Sequence, residues 1–183
     1  MNRLEADELI EAVLAQIKLE SLKKEDNVNM GAGSTLDEGG QHFISQQAYA
    51  VLASVFPTVL TAALEILDHG KVTRFVTQES RREFYRVKEA KKSSGANNDA
   101  GANAVYRDIV GEFCFCFFYA KQCLSDSGAS MLCKHVLAAK LASALGEAHP
   151  DKLTVKEIEE QDYAPLVLSQ KMHLTKFDEK KIT

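Results

Sequence analysis

The sequence predicts an α+β fold: a small antiparallel sheet carrying a ββα metal-binding finger, flanked by N-terminal and C-terminal helices. Three observations predict it. Apolar residues recur at helical spacing before residue 70 and again after Cys133, whereas the stretch between Val72 and Val110 is rich in β-branched and aromatic residues that alternate with polar ones. Two short pairs, Cys114-Phe-Cys116 and Cys133-Lys-His135, fall where the last strand ends and the next helix begins.

Taken in order, residues 1–24 form an N-terminal amphipathic helix. Leu4, Ile10, Val13, Leu14 and Ile17 share a face, and Glu5, Asp7, Glu8, Glu11 and Lys18 lie largely opposite. Such a helix docks on the rest of the chain or serves as a partner-binding arm. Residues 25–42, dominated by Gly, Asn, Asp and Ser, read as a flexible linker. Residues 43–70 are a helical segment. Proline breaks a helix interior but suits a first turn, so one helix is expected to about Val55 and a second from Pro57 to Leu67, ended by Gly70.

Residues 71–148 hold the sheet and the finger. Strands are predicted at Val72–Thr77, Glu83–Val87 and Val105–Val110, with a short last strand at Phe113–Cys116. Between the second and third, residues 88–103 contain no apolar side chain larger than Ala and read as a disordered loop, dispensable for folding. The finger spans 113–146: a helical stretch from Phe117 to Leu124, a turn at 125–128, and an apolar helix from Lys134 to Leu145 closed by Gly146. In residues 149–183, Thr154-Val-Lys-Glu157 has capping-box form and opens a C-terminal helix towards Asp162. Pro165 interrupts the helical pattern beyond that point, and the tail from Lys171 is polar.

A chain of 183 residues is long enough to bury a full core, so it does not need a metal merely because it is small. The formal net charge of −4 gives no global support for nucleic-acid binding, which draws most of its affinity from phosphate neutralisation. Locally, Arg74, Arg81, Arg82 and Arg86, with Lys71, Lys88, Lys91 and Lys92, concentrate positive charge around Phe75, Phe84 and Tyr85. That mixture suits contact with single-stranded DNA; it equally suits a solvated sheet edge guarded against aggregation. Ala48 to Leu67 is the longest apolar stretch, but Ser54, Pro57, Thr58, Thr61 and Glu65 interrupt it, so no membrane contact is expected. The first residues form no apolar signal region, so the chain is expected to lie inside the cell. There, clustered cysteines are metal ligands or reactive thiols rather than disulfides.

Cys114, Cys116, Cys133 and His135 offer three thiolates and one imidazole, a complete tetrahedral set for one structural zinc ion. Soft sulfur ligands disfavour magnesium and calcium. The positive end of the Lys134–Leu145 helix lies close to the thiolates and helps to keep them deprotonated. Cys123 reads as a core residue, with a zinc-thiol redox sensor as the chemical alternative. His42, His69, His149 and His173 are isolated and read as surface or capping residues.

Cys-x-Cys, a spacer and Cys-x-His with Ala three residues after the histidine resembles the SWIM zinc finger, with Cys114-Phe-Cys116 and Cys133-Lys-His135-Val-Leu-Ala138 as the matching residues. The continuation to Gly146, the helix over 56–69, the Val-Thr-Arg-Phe-Val strand and Arg81-Arg-Glu-Phe-Tyr-Arg-Val87 are similar to the small SWIM proteins of the Shu complex. Family members often have Pro after the second cysteine, where this chain has Phe117. The resemblance implies a non-enzymatic nuclear subunit in homologous recombination repair of DNA double-strand breaks. Such a subunit pairs with a paralogue of the RecA-like recombinase and supports its filament on single-stranded DNA, which it reaches through the complex. A zinc-dependent protein that binds single-stranded DNA directly is the alternative.

No Gly-rich phosphate loop is present, and four strong ligands leave a zinc ion no open position for catalysis. The chain is therefore expected not to be an enzyme. The apolar Lys134–Leu145 helix supplies the expected docking surface for the partner, with Ala138, Ala142 and Leu145 on it.

Overall fold

The computed structural model describes residues 3–28, 43–69, 71–90, 104–124, 131–146 and 149–169. It is an α+β fold: a five-stranded sheet whose one face is covered by a buried helix, with helices at both ends of the chain.

Helix α1 (Arg3–Val28) continues beyond residue 24, into what composition marks as linker. Ile10, Val13, Leu14 and Ile17 are all buried in the core. Helix α2 (Gln46–Val55) begins at Ser45, whose hydroxyl accepts the Ala48 N–H at 3.3 Å, one of the orphan donors of a first turn. Helix α3 (Leu60–Asp68) starts three residues later than expected. Pro57 opens a turn instead, closed by the Val59 and Leu60 amides on the Phe56 carbonyl at 3.3 and 3.1 Å.

Strands β1 (Val72–Thr77), β2 (Glu83–Ala90), β3 (Ala104–Val110) and β4 (Phe113–Cys114) are antiparallel neighbours. The expected disordered loop is thereby narrowed. Residues 88–90 belong to β2, and 91–103 lie outside the described residues. A fifth strand, β5 (Thr154–Ile158), adds to the outer edge of β1 in parallel, giving the order β4-β3-β2-β1-β5. This corrects the helix start expected at Thr154. Thr-Val-Lys-Glu reads as a capping box and also as a β-branched strand, and the open backbone edge of β1 decides between them. The C-terminal helix α5 (Glu160–Leu168) starts six residues later and contains Pro165.

Helix α4 (Lys134–Leu145) is the centre of the molecule. Val72, Val87 and Ile109 line one side of the sheet, and α4 packs on them, with α3 and α1 over its remaining sides. Leu137, Leu141 and Leu145 are fully buried, each worth about 1.5–3 kcal/mol of transfer free energy. Lys140 Nζ reaches Glu11 of α1 at 2.7 Å and Glu112 of the β3–β4 turn at 2.9 Å, tying three elements together. Ala138, Ala142 and Leu145, expected to face a partner, are each 0% exposed. A helix that is apolar on more than one side is a buried helix, and α1 covers most of the face that the sheet and α3 leave over, where only Ser143 is exposed.

The opposite face of the sheet carries Phe75 stacked on Phe84, with ring centroids 4.7 Å apart. Tyr163 of α5 meets Phe84 edge-on at 5.8 Å. Here Arg86 makes a bidentate pair with Asp108, Nε to Oδ1 at 2.7 Å and Nη2 to Oδ2 at 2.8 Å, and the Asp108 side chain is fully buried.

Candidate metal centre

The β3–β4 hairpin delivers the first pair of ligands. Val110 pairs with Phe113, so Gly111 and Glu112 form a two-residue turn. Gly111 has φ +59°, the left-handed conformation that glycine adopts at least cost. The register sets Cys114 beside Ile109, buried against α4. After Cys116 the chain turns into a short π-helix, Tyr119–Cys123. Its first amide donates to Cys116 Sγ at 3.2 Å, a hydrogen bond that favours the thiolate. Phe113 meets the rings of Phe115 and Tyr119 edge-on, at 5.0 and 5.3 Å, which fixes the knuckle.

The second pair comes from the start of α4. Cys133 is its N-cap residue, with extended backbone (φ −88°, ψ 164°), and makes no side-chain cap hydrogen bond, so its sulfur is left to the cluster. His135 lies in the first turn. Its Nδ1 is 3.7 Å from Cys114 Sγ and 3.8 Å from Cys133 Sγ. All four ligand atoms lie within 4.8 Å of one another, and all four residues are buried. A tetrahedral zinc ion with bonds of about 2.3 Å to sulfur and 2.0–2.1 Å to nitrogen separates its ligands by about 3.6–3.8 Å; the donor set fits zinc, and the two sulfur–nitrogen separations match that spacing.

Hydrogen bonds from Cys114 and Cys133 push the Cys116 thiol far down, while the same neighbourhood, led by Cys116, pushes Cys114 far up. Burial resists charge on His135, yet Cys116, Cys133 and Glu89 outweigh it and hold the imidazole protonated up to about 10. Without an ion the four side chains share protons among themselves, and a bound zinc ion would displace those protons from the thiols and the ring nitrogen. Glu89, at the end of β2, lies behind the histidine, its Oε2 3.0 Å from His135 Nε2. The approach is short but poorly aligned as a hydrogen bond. His135, followed by Lys134, draws the Glu89 carboxyl down to about 2. A carboxylate behind a ligating imidazole orients the ring and raises its basicity. The sequence reading missed Glu89 because it ended the strand at Val87. Two more residues of alternation place Glu89 on the same side as Val87.

Cys123 is buried but lies outside the four-ligand set. The four arginines expected to contact DNA are dispersed, and each has a carboxylate near it; Lys91 and Lys92 lie outside the described residues. Arg74 pairs with Glu83 on the α4 side of the sheet. Arg81 sits in the β1–β2 turn with φ 55°, 3.9 Å from Glu157. Arg82 binds Glu160 at 2.5 Å, and Arg86 is held by Asp108. Ion pairing along the hairpin has taken up the charge of these arginines.

The chain is similar to a SWIM zinc-finger protein. The Dictyostelium discoideum zinc finger SWIM domain-containing protein 7 homolog is 28% identical over 129 residues, which covers 69% of this chain and 70% of that protein. No family model matches the chain, and no solved structure matches it. The likeness and the buried Cys3His cluster together support a zinc-binding protein.

Proposed function

We propose that this chain is a non-enzymatic adaptor, folded around one structural zinc ion, that belongs to a Shu-type complex in the nucleus and promotes homologous recombination repair. The observation that carries the reading is the closed Cys3His centre in a chain similar to a SWIM zinc-finger protein. Cys114, Cys116, Cys133 and His135 hold the ion and Glu89 braces the histidine. A four-ligand zinc supplies folding energy and leaves no position for substrate.

In this reading the partner is a paralogue of the RecA-like recombinase, and the complex supports the recombinase filament on single-stranded DNA. With α4 buried, the docking surface moves to the zinc knuckle. Phe117 is 70% exposed, Leu124 53% and Phe118 38%, a cluster of large apolar side chains on the short segment that follows the first ligand pair. Exposed aromatic residues on a rigid support are what interface anchors require.

The test is co-purification of the partner with wild type, Cys133→Ser and Phe117→Asp, alongside elemental analysis. Wild type should carry one zinc and retain a protein with a RecA-like nucleotide-binding fold. Cys133→Ser should lose both, and Phe117→Asp should lose the partner and keep the zinc. A zinc-loaded wild type that retains no such protein from cells undergoing repair would sink the reading.

A further inference from the structure

The face of the sheet away from α4 holds a groove of about 530 Å³. Lys71, Thr73 and Phe75 on and before β1, Lys88 on β2, Tyr106 on β3 and Lys156 on β5 line it, with His69 and Arg86 at its margin. Helix α5 covers the end of this face near Phe84 and Arg86, through Tyr163 and the Leu166 carbonyl, and among the described residues nothing from it lines the Thr73–Lys88–Tyr106 end. Among the described residues, no carboxylate lines the groove. Arg86 is already paired with Asp108. Among the described residues, Lys71, Lys88 and Lys156 have no ion-pair partner.

In a chain of net charge −4, three unpaired lysines in one groove stand out. The lysines on α4 and beside β5 show the contrast: Lys134, Lys140 and Lys152 each have a carboxylate partner. The groove also offers a flat apolar surface. Tyr106 is 43% exposed, and the Phe75 ring forms part of the floor with Lys156 Nζ 6.0 Å from its centroid. The segments of this chain that continue from α5 and from β2 are themselves basic. Residues 171–183 carry four lysines against Asp178 and Glu179, and residues 91–103 carry Lys91 and Lys92 against Asp99. Charge complementarity therefore excludes them as the occupant and asks for a polyanion with planar groups.

We propose that this groove binds single-stranded nucleic acid. The lysine ammonium groups contact phosphates and a base stacks on Tyr106, the pairing of basic track and aromatic platform that single-strand binders use. The inference stands apart from the recombination reading, because it concerns the purified chain without a partner and a surface on the opposite side of the sheet from α4.

The test is fluorescence anisotropy of the zinc-loaded chain with labelled oligothymidylate and oligouridylate, titrated at several salt concentrations. Three phosphate contacts should give a slope of log affinity against log salt of about −2, and loss of one contact, in Lys88→Gln or Lys156→Gln, should reduce it by about 0.7. Tyr106→Ala should weaken binding roughly tenfold with the slope unchanged, since stacking is sequence-tolerant and uncharged. All three side chains are solvent-exposed, so circular dichroism should not change. Absence of binding at low salt, affinity for a DNA duplex or polyglutamate equal to that for either single strand, or binding that these variants leave intact would each overturn the proposal. None of those outcomes touches the co-purification result.

Discussion

Arg86→Met is the substitution that best separates a structural arginine from a DNA-binding one. The guanidinium makes two hydrogen bonds to Asp108, whose side chain has no solvent access, while Arg86 itself is 21% exposed. Its pKa is raised, chiefly by the hydrogen bonds to Asp108 and against a smaller cost of burial. Removing one partner of a buried pair costs about 3–5 kcal/mol, because a carboxylate is stranded without water or a counter-charge. The partial exposure of Arg86 lets water soften the loss and argues for the lower end, about 3 kcal/mol. For a chain of this length that lowers Tm by about 6–12 °C. The assay is a thermal melt of zinc-loaded protein followed by circular dichroism. The double variant Arg86→Met/Asp108→Leu should recover most of the loss, since an apolar pair of similar volume replaces the ion pair at little cost. It should not recover all of it, because Arg86 Nη2 also donates to the Leu166 carbonyl at 3.4 Å and holds α5 in place. A single variant that melts within about 2 °C of wild type, or a double variant no better than the single, would refute the account.

The other expectations are simpler to state. Gly146→Ala should destabilise by about 1–3 kcal/mol in a urea melt, because an added Cβ would come 2.8 Å from Leu153 Cδ2 and 3.2 Å from the Ala142 carbonyl oxygen. Glu160 is held at about 2, chiefly by the hydrogen bond from Arg82. A depressed carboxyl contributes its full stability above its ordinary pKa of 4.5 and loses it as pH falls towards 2. The Ser80 amide, which donates to Glu160 at 2.7 Å, should therefore shift in an NMR titration across that window and stay constant above it. Chelation of zinc should abolish the protection of amides around Cys114–Cys123 in hydrogen exchange before it affects β1 or β2. Uniform loss of protection would show instead that the metal holds the whole core.

What could be read from the sequence depended on how local the signal was. The metal pairs are three residues long, and the chemistry of thiol and imidazole admits few interpretations, so Cys114, Cys116, Cys133 and His135 were legible as a group. The first three strands were legible because Val72, Val87 and Ile109 alternate with polar neighbours. The fifth was not: Thr154–Ile158 is an exposed edge strand with no buried face to write a pattern, and its place is set by pairing with β1, eighty residues upstream in register. The fate of α4 was legible in kind but misread. Val136, Leu137, Ala139, Leu141 and Ala142 show that more than one face is apolar, but only the packing of α1, more than a hundred residues earlier, decides that no face is left for a partner. The charge cluster failed for the same reason. Composition counts Arg74, Arg82 and Arg86 as available cations; register and α5 give each of them a carboxylate.

The position of the Cys3His cluster suggests why a chain with so complete a core would use a metal. The sheet and α4 are supported by buried Leu, Val and Phe side chains and do not depend on an ion for closure. The weak part is the segment between them. Strand β4 is only two residues long, the π-helix has five, and Phe117, Phe118 and Leu124 face solvent rather than the core. Such a segment buries too little to order itself against its own chain entropy. A zinc ion held by all four ligands would join it at Cys114 and Cys116 to the N-terminus of α4 at Cys133 and His135, the buried central helix. In the proposed adaptor the zinc therefore acts on presentation as well as on folding. It holds an exposed aromatic knuckle in one conformation, and the ordering entropy that a partner would otherwise have to overcome on binding is already spent.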